Sequence, residues 1–173
     1  MSIWRTVPLL VFLALVFFLW RGLSLNPHEL PSTQIGQSVP DHLMPVLGDA
    51  SKTFSLKSAH GHYFLLNVWG SWCAACIEEQ VFLLQLSRKG IPIYGINYKD
   101  NAQKASEWLV EWGNPFTTIA FDPEGQVGMD LGVYGAPETF LVDARGIIQY
   151  RHVGVLDEMS WQKEFVPRIR HAG

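Results

Sequence analysis

Cysteine is scarce in this chain, with 2 in 173 residues, and so is charge, at 17 % of residues against the quarter or so usual in a soluble domain. Two cysteines are too few for a disulfide-stapled scaffold, which has four or more. They are also too few for a zinc site, which usually draws four ligands from two such pairs. His28, His42, His60, His62, His152 and His171 stand at no metal-ligand spacing, so no metal is expected. Covalent haem attachment needs a histidine directly after the second cysteine, and Ile77 is there. A basic excess is missing too. The net charge of −3 argues against nucleic-acid binding and against a polybasic membrane-surface protein. No internal repeat is visible.

Much of the charge deficit falls at the N-terminus. Val7–Trp20 carries no charge, and extending it back to Ile3 gives nearly the ~20 residues that span a bilayer. Trp4 and Trp20 stand at its two ends, as interfacial anchors do. Pro8 falls in the first turns, where a helix tolerates it. The following Trp20-Arg21-Gly22-Leu23-Ser24-Leu25 lacks the small-residue site of a cleaved signal peptide. Residues 1–25 therefore read as a membrane anchor helix. Residues 26–37, with Pro27, Pro31 and Gly36, read as a linker. Residues 38–173 remain for one ordinary domain.

Both cysteines lie in Leu65-Leu66-Asn67-Val68-Trp69-Gly70-Ser71-Trp72-Cys73-Ala74-Ala75-Cys76. The apolar lead-in from Tyr63 to Trp69 reads as a buried strand, broken by Gly70 and Ser71. Ile77, Val81 and Leu84 recur at helical spacing, so a helix with those residues on its apolar face is expected from Cys73 to about Arg88. The cysteine pair then sits at a helix start. Unpaired N–H groups and the positive end of the helix dipole lower a thiol's pKa there. Cys73 is the expected nucleophile, and Cys76, one turn further in, can resolve a mixed disulfide. A structural disulfide across so short a loop would remove little chain entropy.

Elsewhere, Val39–Leu47 and Thr53–Leu56 suit strands, as do Ile91–Asn97, Thr118–Phe121, Thr139–Val142 and Ile147–His152. The last two form a hairpin over Asp143–Gly146. Ala102–Trp112 is helical in pattern, with Ala105, Trp108, Leu109 and Trp112 on one face. Gln126–Leu131 reads as a weak helix. Leu156–Ile169 reads as a helix broken or kinked at Pro167. The expected fold class is α/β, a mixed sheet with helices on both faces.

Trp72-Cys73-Ala74-Ala75-Cys76 resembles the active-site motif of the thioredoxin fold. Asn67-Val68-Trp69 and Gly132-Val133-Tyr134-Gly135-Ala136-Pro137-Glu138-Thr139-Phe140-Leu141-Val142-Asp143 resemble the membrane-anchored DsbE/CcmG branch. The resemblance implies a thioredoxin fold with a cis-proline loop at Ala136–Pro137 facing the cysteines, where the backbone before proline pairs with an incoming extended peptide. Proline often sets turn geometry alone, and that is the plain alternative. Thioredoxin has a buried aspartate at the position matching Asn67, so another group must move the proton of the second thiol. Glu79, three residues beyond Cys76, and Glu138 match acidic positions of the family and are expected to tune the thiols and select partners. A solvated helix-face charge is the plain alternative for Glu79, and a core role for Tyr134, which also matches a position near the site. Ala74-Ala75 departs from the Pro-containing pair common in the branch. With neither a charge nor a histidine between the cysteines, a strong oxidant is not expected.

The activity implied is thiol-disulfide exchange by a reductant on the periplasmic side of the inner membrane, with no cofactor beyond the redox-active Cys73–Cys76 disulfide. The partners implied are apocytochrome c or its maturation factor, with a membrane disulfide reductase as electron donor. A general periplasmic disulfide reductase and a thiol-dependent apocytochrome-binding chaperone are the alternatives. Copper delivery fits less well, because its cysteines usually stand three residues apart beside a ligand histidine.

Overall fold

The computed structural model describes residues 7–23 and 34–171. The chain divides into two compact units, Met1–Pro31 and Ser32–Gly173. The first holds helix α1 (Val7–Leu23). Among the described residues no helix is long and apolar enough to cross a membrane. The flanks of the expected anchor, and most of the expected linker, lie outside the described residues.

The second unit is built on seven strands: β1 (Met44–Val46), β2 (Asp49–Phe54), β3 (Phe64–Trp69), β4 (Ile93–Tyr98), β5 (Thr118–Asp122), β6 (Glu138–Val142) and β7 (Ile148–Val153). They form one sheet in the order β2-β1-β5-β4-β3-β6-β7. β3, β4 and β5 are mutually parallel, and the outer pairings are antiparallel. The helices are α2 (Ala74–Arg88), α3 (Ala102–Trp112), α4 (Gln126–Asp130) and a C-terminal run containing α5 (Glu158–Ser160) and α6 (Val166–His171).

Successive strand residues point to opposite faces, and the core divides accordingly. Phe64, Leu66 and Val68 of β3 join Tyr94, Ile96, Phe140 and Val142 in one cluster, with Leu56, Val127 and Leu131 over it. Leu65 and Trp69 join Leu141, Ile93 and both cysteines in the other, covered by Leu83 and Leu86 of α2, Trp108 of α3, and Trp161 and Phe165. Helices on both faces of a mixed sheet are what the pattern implied.

Three elements differ from the sequence reading. Leu56 belongs to a 3₁₀ turn (Leu56–Ala59) rather than to a strand. In α2 the apolar spacing of Ile77, Val81 and Leu84 does not mark the buried face: Val81 is 64 % exposed, and the residues that pack are Cys76, Glu79, Gln80, Phe82, Leu83 and Leu86. Two of those six are polar, which hid the stripe. At the C-terminus the break precedes Pro167 as a π turn (Trp161–Phe165), with Val166 N–H reaching Trp161 O. Pro167 has no N–H to give Lys163 and its ring crowds that carbonyl, so the preceding turn widens and the helix runs on. Of the α3 face, Ala105 and Trp108 are buried and Trp112 is exposed.

Candidate active site

Cys73 caps α2. Its backbone is extended (φ −93°, ψ 102°), and its Sγ accepts the Cys76 N–H at 3.1 Å. Cys73 and Cys76 are joined as a disulfide, Cα atoms 5.4 Å apart, and both are buried. With the bond opened and this geometry kept, the same N–H would stabilise a Cys73 thiolate through a charge-assisted hydrogen bond at the positive end of the helix. Ala74, between them, is exposed. Among the described residues no group of three or more His, Cys, Asp or Glu side chains is placed to hold a metal ion.

Trp72 is half exposed, and its indole N–H donates to Tyr98 O at 3.1 Å. Its ring lies across Gly70, where a Cβ would stand 2.5 Å from Trp72 Nε1. Glycine is required there for that close approach.

One turn past Cys76 on the buried side of α2, Glu79 is 1 % exposed. Glu79 Oε1 accepts from Asn67 Nδ2 at 2.8 Å, and Oε2 accepts the Leu156 N–H at 2.9 Å. Among the described residues no cation pairs with it. Burial drives its pKa up to about 7, against the pull of those two bonds. Asn67 also donates to Thr139 Oγ1 at 3.0 Å, while its own Oδ1 is buried without a partner among the described residues. The solvated-charge alternative for Glu79 is thus set aside.

The Ala136–Pro137 bond is cis. Ala136 packs against the apolar cluster that contains both cysteines. Pro137 O accepts the Gly154 N–H at 2.9 Å. A shallow cleft of about 250 Å³ runs beside this loop, lined by Tyr134, Gly135, Ala136, Pro137, Glu138, Val153 and Gly154. Tyr134 is exposed, with the Arg151 guanidinium 4.6 Å from its ring centroid.

The structure does not bring Glu138 to the face that carries the thiols. Thr139 turns toward Asn67 on the α2 face, so its neighbour Glu138 turns to the other side with Phe140. There Glu138 accepts the Tyr134 N–H at 2.9 Å and pairs with Arg151 at 2.7 Å, both side chains at most 5 % exposed. Arg151 also donates to Gly132 O at 2.8 Å. Glu138 and Arg151 therefore brace the two ends of the Gly132–Pro137 loop. Arg151 escaped the sequence reading, although the hairpin register places it opposite Phe140, diagonal to Glu138.

Asp100 escaped it as well. It accepts from both the N–H and the hydroxyl of Ser71, at 2.5 and 2.6 Å. A signal existed: Asp100 and Asn101 both precede α3, only one can cap it, and Asn101 does so.

The redoxin family pattern matches residues 34–164. The chain is 46 % identical over 165 residues to the thiol:disulfide interchange protein DsbE of Pseudomonas fluorescens biotype C, covering 95 % of this chain and 92 % of that one. It is 44 % identical to the protein of the same name from Escherichia coli (strain K12), covering 93 % and 90 %. Among solved structures it resembles a secreted thiol-disulfide isomerase from Corynebacterium glutamicum, with TM-score 0.66, 21 % identity, and 76 % and 85 % of the two chains covered. It also resembles a secreted Mycobacterium tuberculosis disulfide oxidoreductase, with TM-score 0.62, 19 % identity, and 76 % and 96 % covered. These last two likenesses concern the fold.

Proposed function

The chain belongs to the DsbE family of thiol:disulfide interchange proteins, within the redoxins, and we propose that it serves as a membrane-anchored, periplasm-facing reductant in cytochrome c maturation. It is a thiol-disulfide oxidoreductase. The observation that carries the reading is the Cys73–Cys76 pair at the start of α2, with the Cys76 N–H directed at Cys73 Sγ.

In the reduced protein the Cys73 thiolate attacks a partner disulfide. That S–S bond breaks, a Cys73–partner bond forms and one partner thiolate leaves. Cys76 then loses its proton and attacks Cys73 Sγ. The partner departs as a dithiol, two electrons richer, and the chain is left with the disulfide described above. Glu79 takes the Cys76 proton. It lies one turn along the same buried helix face, and a carboxyl with pKa about 7 is suited to proton transfer near neutral pH. Asn67 serves both protonation states: its amide N–H donates to the carboxylate, and after a flip its unpartnered Oδ1 accepts from the acid. The incoming peptide adds as an extended strand along the Ala136 backbone, beside Tyr134 and Trp72. Glu138 acts on this exchange through the loop it braces.

By family resemblance the substrate is a disulfide of apocytochrome c or of its maturation factor, and a membrane disulfide reductase restores the dithiol. The uncharged Val7–Trp20, with the residues before it, is the anchor. The redox-active disulfide is the only cofactor this chemistry requires.

The test is the reduction potential of the purified chain, by equilibration with glutathione. A value between about −270 and −200 mV is expected of a reductant fed by a dedicated donor, and one near −120 mV would overturn the reading. Cys73→Ala separates exchange from chaperoning: apocytochrome binding that survives undiminished favours a chaperone.

A further inference from the structure

We propose that Asp100 is the positioning residue of the redox site, holding the Gly70–Cys73 turn so that Cys73 Sγ stays over the first turn of α2. The proposal rests on the reading of Cys73 as the attacking thiol. The turn is closed by the Cys73 N–H donating to Gly70 O at 3.0 Å. Both of its central residues are gripped by the segment after β4. Ser71 gives its N–H to Asp100 Oδ2 and its hydroxyl to Asp100 Oδ1. Trp72 gives its indole N–H to Tyr98 O.

Asp100 is itself aimed. Asn97 Nδ2 donates to Oδ2 at 2.8 Å and the Asn101 N–H donates to Oδ1 at 2.7 Å. Burial pushes the carboxyl up, but these bonds and those from Ser71 together hold it below the usual carboxylate range. It is therefore an anion, accepting from four donors, at any pH where the thiols work. Between Tyr98 O and Asp100 stands Lys99, the one non-glycine residue of positive φ (47°) among the described residues. L-residues rarely adopt that conformation. Here it lets a carbonyl and a carboxylate two residues apart both face the turn, and the Lys99 N–H to Asp122 O bond at 2.9 Å fixes it. Ordinary capping does not account for Asp100, since Asn101 Oδ1 already takes the Gln103 and Lys104 N–H groups of α3.

Thiol exchange needs the attacking sulfur in line with the partner's S–S bond, and a misplacement of about 1 Å can cost of order 10²-fold in rate. The test uses the full chain, reduced, with glutathione disulfide as the probe, and reads exchange per folded, fully reduced molecule. Asp100→Ala removes both acceptors and is expected to slow exchange about tenfold or more. Asp100→Asn still offers a carboxamide oxygen to the Ser71 N–H and is expected to return to within about threefold of the unaltered chain. An alanine variant within about twofold of the unaltered chain, or an asparagine variant no faster than alanine, overturns the proposal. If Asp100→Ala does not fold, Ser71→Ala takes its place, with a loss of about threefold expected and an unchanged rate overturning. Exchange that persists in Cys73→Ala sinks the nucleophile, and the positioning role with it. Exchange that depends on Cys73 but ignores Asp100 sinks the positioning role alone.

Discussion

Glu79 and Glu138 are both 1 % exposed, one bonded to Asn67 of β3 and the other carried by the neighbouring β6, yet they are opposite solutions to burying a carboxyl group. Glu79, on the α2 face, has two neutral donors and no cation among the described residues, and burial drives its pKa to about 7. Glu138, on the other face, has a backbone N–H and the guanidinium of Arg151. A buried carboxyl without a cation keeps its proton to higher pH, as the proposed proton transfer by Glu79 requires, whereas one paired with arginine is held as an ion pair. The sheet puts the two carboxyl groups on opposite faces by a single residue step, because Thr139 faces Asn67 while Glu138 faces Arg151.

The largest break in that contrast comes from Arg151→Ala. It leaves Glu138 buried without its cation and strips the guanidinium from Tyr134 and Phe140. A loss of about 3–5 kcal/mol in unfolding free energy is expected from denaturant titration, because breaking one side of a buried ion pair strands the other charge. A loss under about 1 kcal/mol would mean that the strut reading fails.

Next in size is the pH dependence that Glu79 confers. Its folded pKa of about 7 lies above the ordinary glutamate value of 4.5, so between those values the folded chain binds the proton more tightly than the unfolded chain does. Stability therefore falls as pH rises through that window, and the full penalty is present above pH 7. The shift corresponds to ~3 kcal/mol at most. Glu79→Gln cannot ionise. The difference in unfolding free energy between the variant and the unaltered chain should move by up to that amount in the variant's favour from pH 4.5 to pH 8, and a flat difference would show that Glu79 is ordinary.

Most of the frame was legible in the chain's own pattern. The run Phe64–Trp69 is apolar at every position but Asn67 because it is a central strand buried on both faces, and the hairpin was marked by Asp143–Gly146. The cysteine pair was placed at a helix start by the Gly70-Ser71 break. What could not be read was the inward turn of α2. Its buried face carries Glu79 and Gln80, and apolar periodicity points instead to Val81, which is exposed. Two polar residues face inward because Asn67, Leu156 N–H and Gly113 O are there to meet them, and those partners lie 12, 77 and 33 residues away in sequence. The Asp100 grip spans 29 residues for the same reason. Long-range polar satisfaction leaves no local period.

The finest test of the contrast keeps the charge opposite Glu138 and changes only its shape. Arg151 uses Nε and Nη2 on one carboxylate oxygen, reaches Gly132 O with Nη2, and lies over two rings. Arg151→Lys retains one positive charge for Glu138, so the carboxylate is not stranded. An ammonium is compact and cannot span Glu138 and Gly132 O at once, nor stack as a plane on Tyr134. The expected loss is about 1 kcal/mol, well below that for alanine, read by the same denaturant titration. The freed Gly132 carbonyl loosens the loop before Pro137, so exchange with a peptide disulfide should slow more than exchange with glutathione disulfide, which makes little use of strand addition. Equal slowing with both probes would place the effect of Arg151 on the thiols themselves, and the separation of the two carboxyl groups by sheet face would then not hold as a separation of roles.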